Sequence, residues 1–355
     1  MSVSSISTMA LARQTRNLVR TMQSDMHTLE LEIGTGKKSD VAGSVGSRAA
    51  LLLDLRNARQ TTAEYRQSIQ TQSSRLTLMQ EALDKVRGSA TQVRDLALSV
   101  SGSGVGAAAA TIDEAALNAI QTLSSMFNSS QSGRYLFAGT RFDTRPMQPP
   151  TETAPSGIAP LDAVKSVLSS LGPTSTAADV DAALNGPNGL SSIFSDTYGG
   201  GPAAPENFSK TFFLGSTTQV QGRAGEDLPV TYACTAGDEP VRTLLKGLYL
   251  LAAVPSESVS TEAYQRIADQ GWRLITQATD ELIDTQGIIG LQEELLKRAD
   301  ERHEVEDGLL SKQITQMEMA DPYETGLRLN TLETQLEATF AMTSRISKLS
   351  LIDFL

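Results

Sequence analysis

The sequence is poor in the residues that build most active sites and metal sites. Its 355 residues include one cysteine, Cys234, and two histidines, His27 and His303. A single cysteine excludes an internal disulfide framework and a cysteine-based zinc site. Two histidines leave little material for metal ligation or for histidine-based acid–base catalysis. We therefore expect no metal, no cofactor and no enzymatic activity.

Aromatic side chains are also scarce. Phe, Trp and Tyr together make up 5% of the chain, and Trp occurs once. Because aromatic residues usually dominate the interior of globular domains, this shortage predicts that something other than one large packed core holds the chain together. Cys234 lies in an apolar, strand-like stretch and is expected to be a small buried hydrophobe.

Basic surface and long apolar runs are missing as well. Asp and Glu number 41 against 30 Lys and Arg, for a net charge of -11. This balance argues against nucleic acid as a partner, because phosphate binding needs a basic face. The apolar run 248–254 is far shorter than the roughly 20 residues of a membrane helix. Residues 1–20 show no secretory signal, so the chain is expected to stay in the cytoplasm or to leave by another route.

A long heptad pattern is the strongest positive feature. Fifteen positions spaced by 4 and 3 between residues 51 and 100 include thirteen apolar residues, and the exceptions are Thr62 and Gln72. Such a narrow stripe over this length is typical of a coiled-coil seam. A weaker seam covers residues 268–320. We expect Asp321-Pro322 to end it, because a residue that precedes proline disfavours the helical conformation.

Two further apolar stripes occur at the ends of the chain, and we assign them to an assembly interface. The N-terminal stripe consists of Leu11, Leu18, Met22, Leu29 and Ile33, and the C-terminal stripe of Leu329, Leu332, Leu336, Phe340, Ile346, Leu349 and Phe354. Gly34-Thr35-Gly36 is expected to end the first helix. Each stripe is too narrow to be stable alone, so we expect these helices to pair with each other and with other subunits.

The middle of the chain differs in composition. Eleven of the 13 prolines lie between residues 146 and 240, and the pattern predicts short helices at 161–171 and 176–184 and short strands at 211–215 and 228–234. The predicted fold is mainly α, with long N- and C-terminal coiled-coil helices paired into an elongated bundle and a small mixed α/β outer domain inserted between them. The predicted segments are an assembly helix (1–33), an N-side coiled-coil arm (34–140), an outer insert (141–240), a C-side arm (241–321) and a C-terminal assembly helix (322–355).

Three stretches resemble the flagellin superfamily. Residues 132–140 read Ser-Gly-Arg-Tyr-Leu-Phe-Ala-Gly-Thr, and Gly133, Tyr135, Phe137 and Gly139 in it resemble the family signature where helices give way to an outer domain. The second stretch starts at Asp321-Pro-Tyr-Glu and continues through the apolar residues of 329–340. The third is the hydrophobic end, 343–355. The sequence departs from the family at 38–43, where the usual acidic pair is replaced by Lys-Ser-Asp-Val-Ala-Gly.

The resemblance implies a structural subunit of the bacterial flagellum that joins the hook to the filament, with a subunit of the filament itself as the alternative. It implies export of an unfolded chain through the flagellar type III apparatus, followed by self-assembly through the paired terminal helices. The implied partners are the first junction protein, flagellin, copies of the chain in a ring, and an export chaperone. The implied location is outside the cell, at the hook–filament junction.

Two other classes of protein fit the sequence less well. A sensor with a helical stalk would need a ligand-binding constellation and, in most designs, a membrane helix, and neither is evident in the sequence. An enzyme would need its site in residues 141–240, where we identify no acid–base pair or nucleophile.

Overall fold

The computed structural model describes residues 8–103, 109–195, 208–232 and 234–352. Its helices are α1 (Thr8–Thr35), α2 (Val41–Val45), α3 (Ala49–Ser103), α4 (Ala109–Phe127), α5 (Pro160–Leu168), α6 (Ala177–Asn185), α7 (Leu190–Ile193), α8 (Phe208–Thr211), α9 (Glu239–Ala253), α10 (Thr261–Glu318) and α11 (Pro322–Ile352). Strands β1 (Ser130–Gln131) and β2 (Arg134–Tyr135) form one antiparallel hairpin, and β3 (Gln221–Arg223) and β4 (Pro229–Thr231) form another. The predicted mainly α fold with short strands is confirmed.

The chain divides into two compact units. Unit 1 consists of Met1–Glu64 and His303–Leu355, and unit 2 consists of Tyr65–Arg302. In unit 1, α1 packs against α11; in unit 2, α9 packs against α4 and α5. Both hairpins belong to unit 2, whereas α3 and α10 contribute residues to both units.

Unit 2 contains one contiguous apolar core, contrary to the expectation drawn from the scarcity of aromatic residues. All ten seam positions of α3 from Ile69 to Val100 are buried, which confirms the predicted seam there. Ile275, Leu282 and Leu296 of α10 are buried in the same cluster, together with residues of α4, α5 and α9. Aliphatic side chains therefore supply most of the core that aromatic ones supply elsewhere.

The few aromatic residues are concentrated in this core. The ring centroids of Phe194 and Phe212 lie 4.6 Å apart, and those of Phe212 and Tyr249 lie 5.3 Å apart. Cys234 is also buried in the core, as predicted, and desolvation raises the pKa of its thiol well above its usual range. The thiol is therefore a packing group rather than a nucleophile.

The inserted segment follows the sequence prediction in its helices. The helices predicted at 161–171 and 176–184 correspond to α5 and α6. The α6 helix begins with a capping box, in which the Thr176 hydroxyl accepts from the Asp179 N–H and the Asp179 carboxylate accepts from the Thr176 N–H at 2.8 Å. These bonds lower the pKa of Asp179.

One of the two predicted strands is wrong. Strand β4 lies inside the predicted 228–234, but Thr211 ends helix α8 and only Phe213 of the predicted 211–215 forms a bridge, with Met147. Phe212 and Phe213 are both buried. Residue 212 lies in a turn that directly follows α8, so this run does not form a regular strand.

The sequence pattern did not separate α9 from the long C-side helix. Nearly every residue of α9 from Val241 to Ala253 is buried, because α4 and α5 both cover it. A helix covered on several sides loses the apolar periodicity that identifies a helix in a sequence. A break at Pro255 follows, and α10 starts where the Ser260 hydroxyl accepts from the Ala263 N–H at 3.1 Å.

The predicted seam is displaced by one residue at two places in unit 1. Leu52 and Ile314 are buried and pack together, in place of the predicted residues that precede them. Leu55 and Met317, which the prediction placed in the seam, pack against this pair. A straight α-helix of 3.6 residues per turn drifts against a strict 3.5-residue repeat, which accounts for a local displacement of this kind.

Candidate assembly interface

Helix α1 presents a narrow apolar stripe within unit 1. Met22 and Leu29 of the predicted interface are half-buried, as are Val19 and Met26 at the same heptad spacing. The helix ends as predicted, because Gly36 adopts a left-handed conformation (φ 67) and its N–H donates to the Glu32 carbonyl at 2.9 Å.

Helix α11 presents the complementary stripe. Its start is fixed by Asp321, whose carboxylate accepts from the Tyr323 N–H at 2.9 Å. Leu329, Leu332 and Leu336 are half-buried. In the described part of α1 and α11, Thr325 is the one side chain that is fully buried. The pair α1–α11 thus covers its apolar stripe only partly.

Other predicted interface residues are left on the surface. Leu18 is 48% exposed, Ile33 is 43% exposed and Phe340 is 51% exposed. Phe340 therefore lies at the edge of the stripe rather than in it. The side chains of Leu11, Ile346 and Leu349, and the whole of Phe354, lie outside the described residues.

Helix α11 is apolar on its far side as well. Leu327 is 63% exposed. Leu327 precedes the half-buried Leu336 by nine residues, which is two and a half helical turns, so the two side chains are on opposite sides of the helix. Met342 is also exposed. A helix with apolar residues on more than one side is typical of helices that are covered by several neighbours.

Unit 1 contains a helix break after α1 and another between α10 and α11. A short backbone ladder joins the two breaks. Lys37 forms an antiparallel bridge with Met319. The Lys38 N–H donates to the Glu318 carbonyl at 2.9 Å, and the Ala320 N–H donates to the Gly36 carbonyl at 3.0 Å. The predicted break at Asp321-Pro322 is confirmed, since α10 ends at Glu318 and α11 begins at Pro322.

A buried carboxylate fastens this joint. Glu318 is 8% exposed, and its carboxylate accepts from Arg56 Nε at 3.1 Å and Nη2 at 2.5 Å. The Lys37 ammonium lies 3.8 Å from the other carboxylate oxygen. A buried carboxylate is tolerated when cations pair with it. The sequence offered no signal for this cluster, because the three residues are far apart along the chain.

The family-like signature forms a tight joint in unit 2. Ser132 and Gly133 both have positive φ (51 and 77), as a two-residue hairpin turn between β1 and β2 requires. Tyr135 is half-buried. Phe137 is fully buried and packs edge to face on Phe127, with ring centroids 4.7 Å apart.

Gly139 is the most constrained residue of the signature. Its φ is 58, and a Cβ at this position would lie 2.7 Å from the Thr218 carbonyl oxygen and closer still to that of Ser216. The Ser216 N–H donates to the Ala138 carbonyl at 3.0 Å, and the Ala236 N–H donates to the Phe137 carbonyl at 3.0 Å. Neighbouring backbone therefore leaves room for glycine alone.

Arg75 of α3 contacts both the signature and Tyr232, which lies just after strand β4. Its Nη2 donates to the Leu136 carbonyl at 3.1 Å and to the Tyr135 carbonyl at 3.3 Å. Its guanidinium stands 4.4 Å from the ring centroid of Tyr232. Desolvation lowers the pKa of Arg75, but an arginine remains charged at any physiological pH.

Two polar seam residues hold the β3–β4 hairpin. The Gln72 side chain of α3 donates to the Arg223 carbonyl at 3.0 Å, and Gln292 of α10 donates to the Thr231 carbonyl. Ser68 also donates to the Arg223 carbonyl, at 2.9 Å. Gln72 and Gln292, two of the polar residues at predicted seam positions, therefore anchor the hairpin to α3 and α10.

The described ranges show neither a cluster of metal ligands nor a helix of membrane-spanning character. They contain no group of three or more His, Cys, Asp or Glu side chains that could hold a metal ion. No helix within them is long and apolar enough to cross a membrane. His303 is buried at the seam, with its Nδ1 3.2 Å from a carboxylate oxygen of Glu306.

Two protein-family models match regions of this chain. A model of the bacterial flagellin N-terminal helical region matches residues 6–141, and a model of the bacterial flagellin C-terminal helical region matches residues 272–355. A solved structure described as a flagellar hook-associated protein from Vibrio parahaemolyticus is 13% identical, with a TM-score of 0.48, over 76% of this chain and 96% of that chain. No curated protein matches. The two matched regions hold the terminal helices and most of the long helices between them, and the chain belongs to the flagellin superfamily of flagellar structural subunits.

Proposed function

We propose that this chain is the subunit that joins the flagellar hook to the filament. It assembles through α1 and α11 into a ring, between the first junction protein on the hook side and flagellin on the filament side. The observation that carries the assembly role is the incomplete burial of these two helices. Leu18, Leu327 and Phe340 are about half exposed or more, although they belong to helices that pair with each other.

The physical argument concerns the apolar surface of a free subunit. Contiguous exposed apolar surface on a soluble chain marks an interaction site or an aggregation hazard. Covering it releases about 25 cal/mol for each Å² removed from water. Neighbouring copies of α1 and α11 offer the same kind of surface, so packing several pairs side by side covers the far side of α11 as well as its stripe.

The preference for junction over filament rests on residues 353–355, which read Asp-Phe-Leu. The corresponding stretch of flagellins more often carries Leu-Leu-Arg or a similar basic sequence. These residues lie outside the described part of the structure. A flagellin of the filament is the second candidate, because both kinds of subunit share the two matched helical regions.

Export and chaperone binding follow from the same proposal. The chain leaves the cell unfolded through the flagellar type III apparatus, and a cytoplasmic chaperone covers the C-terminal helix beforehand. The single buried cysteine and the absence of any second one suit a chain that must pass a channel without forming disulfides.

Immuno-electron microscopy of intact flagella tests the location. Antibody against the full chain is expected to label only the tip of the hook, at the base of the filament. Label along the filament would replace the junction role by the flagellin role. Seeded polymerisation gives a second readout, since a flagellin extends seeds into long filaments by itself and a junction subunit is not expected to.

A further inference from the structure

The connection between α6 and α7 contains the dipeptide Asn-Gly twice. Asn185-Gly186 and Asn188-Gly189 are three residues apart, and no other Asn-Gly pair occurs in the sequence. A glycine after asparagine has no side chain to keep its backbone nitrogen away from the asparagine Cγ. Attack of that nitrogen on the amide carbon is the reaction that converts asparagine into aspartate and isoaspartate in proteins.

The fold requires both glycines. A Cβ at Gly186 would lie 2.5 Å from the Ala182 carbonyl oxygen, and a Cβ at Gly189 would lie 2.6 Å from the Ala183 carbonyl oxygen. Real Cβ atoms do not approach backbone this closely. The packing that ends α6 and starts α7 therefore preserves the residue type that makes each asparagine susceptible.

Asn185 is protected by its surroundings. It is the last residue of α6, and a helical residue directs its side chain back along the helix, away from the following nitrogen. The Gly186 N–H donates to the Ala182 carbonyl at 2.8 Å. The Asn185 side-chain oxygen also accepts from the Ser191 hydroxyl at 3.3 Å. Attack at this residue requires the end of the helix to open.

Asn188 is exposed, as Asn185 is, but its backbone lies in a turn rather than in a helix. It occupies the third position of a turn from Gly186 to Gly189, which the Gly189 N–H closes by donating to the Gly186 carbonyl at 2.9 Å. Pro187 occupies the second position, where its fixed φ suits a turn. Within the described residues, the Asn188 side chain makes no hydrogen bond. Gly189 itself is buried, and opening the one turn bond that its N–H makes frees the nitrogen that follows Asn188.

We propose that Asn188 is a site of spontaneous succinimide formation, with Asn185 as its protected neighbour. The Gly189 nitrogen gives its proton to solvent base and attacks Asn188 Cγ. A C–N bond forms, the side-chain nitrogen leaves as ammonia, and a five-membered ring results. Water then opens the ring at one of its two carbonyls, which gives aspartate or isoaspartate. Solvent supplies every co-reactant, and no electron transfer occurs.

The modification changes the start of α7. The Gly189 carbonyl accepts from the Ser192 N–H at 3.0 Å and from the Ser192 hydroxyl at 2.6 Å. Isoaspartate at 188 inserts one more carbon into the main chain directly before this cap. Phe194 follows α7 and packs on Phe212, so the altered turn loosens an attachment of the aromatic cluster.

Peptide mass spectrometry after incubation in heavy-oxygen water tests the proposal, because ring opening places one solvent oxygen in each converted residue. The folded full chain is compared with the same chain in denaturant. In the folded chain we expect label at 188 to accumulate about tenfold faster than at 185, since Asn185 must break additional hydrogen bonds first. In denaturant the two rates should agree within about twofold, because local structure no longer distinguishes them.

Two variants serve as matched controls. Asn188→Gln should remove label at 188 and leave the slow reaction at 185 unchanged, while Asn185→Gln should leave the fast reaction at 188. A folded-chain ratio below about threefold, which is less than one hydrogen bond contributes, overturns the proposal. So does label that appears at 188 only in denaturant.

Discussion

Unit 1 and unit 2 both contain long helical segments with a heptad-like apolar spacing, but among the described residues only those of unit 2 close a large core. In unit 2 the seam of α3 and α10 is covered by further helices, and its apolar side chains are almost completely buried. In unit 1 the described apolar residues that reach full burial are Leu52, Ile314 and Ala320. A heptad stripe therefore provides apolar surface that can be buried. Whether the same chain buries it depends on further helices, such as α4, α5 and α9 in unit 2.

The two units also differ in whether their stability depends on neighbouring molecules. A unit with a closed core gains its stability without partners, because its apolar surface is already removed from water. A pair of helices with one partly covered stripe gains little by itself. Unit 1 is therefore the part in which neighbouring molecules can add the most free energy.

The largest expected effect concerns two adjacent residues of α10 in unit 2. Leu282 is fully buried and Ile283 is 48% exposed. Leu282→Ala should lower the free energy of unfolding by about 2–5 kcal/mol, because it leaves a cavity in the core. Ile283→Ala should change it by about 0.5 kcal/mol or less. Urea unfolding followed by circular dichroism measures both, and equal losses would contradict the closed core of unit 2.

Two glycines of the signature in unit 2 distinguish the cost of a left-handed backbone from the cost of a steric clash. Gly133 and Gly139 both have positive φ, but only Gly139 has other backbone where a Cβ would stand. Gly133→Ala should cost about 1 kcal/mol, the strain of a left-handed alanine. Gly139→Ala should cost about 3 kcal/mol or more, because the backbone of Ser216 must also move. Thermal unfolding of the two variants gives the difference, and similar costs would show that the joint can relax.

An intermediate effect is expected in unit 1, where Leu336 is half-buried and Phe340 is 51% exposed. In the dilute subunit, Leu336→Asp should weaken the α1–α11 pairing by about 1–2 kcal/mol, because it places a charge in the stripe. Phe340→Asp should have an effect of about 0.5 kcal/mol or less. Hydrogen exchange of α11 amides measures both.

The same two variants should become equivalent in cells. If neighbouring subunits cover Phe340, either substitution should leave hooks in place and remove attached filaments. Normal swimming of cells with Phe340→Asp would show that no neighbour covers this residue. Normal swimming with Leu336→Asp would argue against the α1–α11 pair as an assembly element.

The smallest effect on stability is expected at the hairpin anchor of unit 2. Gln72→Leu completes the apolar seam but loses the bond to the Arg223 carbonyl. These changes oppose each other, so the free energy of unfolding should change by about 1 kcal/mol or less. Limited proteolysis should nevertheless cut the β3–β4 hairpin faster than in the parent chain. Gln70→Leu on the exposed face of α3 is the matched control, and it should leave the cleavage rate unchanged.

The sequence predicted the parts of the fold that depend on local chemistry. The ends of α1 and α10 were readable because Gly36 and Pro322 act on their own backbone. The seam of α3 from Ile69 onward was readable because its spacing repeats. Of the interface residues, Met22, Leu29, Leu329, Leu332 and Leu336 lie on the half-buried stripes.

The features that depend on distant parts of the chain were not readable. Burial of Glu318 depends on Arg56, and the need for Gln72 depends on a hairpin more than a hundred residues away. Phe340 lies one position after the half-buried stripe of α11. The apolar character of its side chain does not reveal this one-residue offset. Burial of nearly every residue of α9 from Val241 to Ala253 erased the periodicity that would have marked it as a separate helix.

The ladder between residues 36–38 and 318–320 has a mechanical consequence. Both segments of unit 1 interrupt their helices at the same level, and Glu318 holds that level to Arg56. A force on either helix is therefore shared by both segments, because their backbones are bonded to each other beside the break.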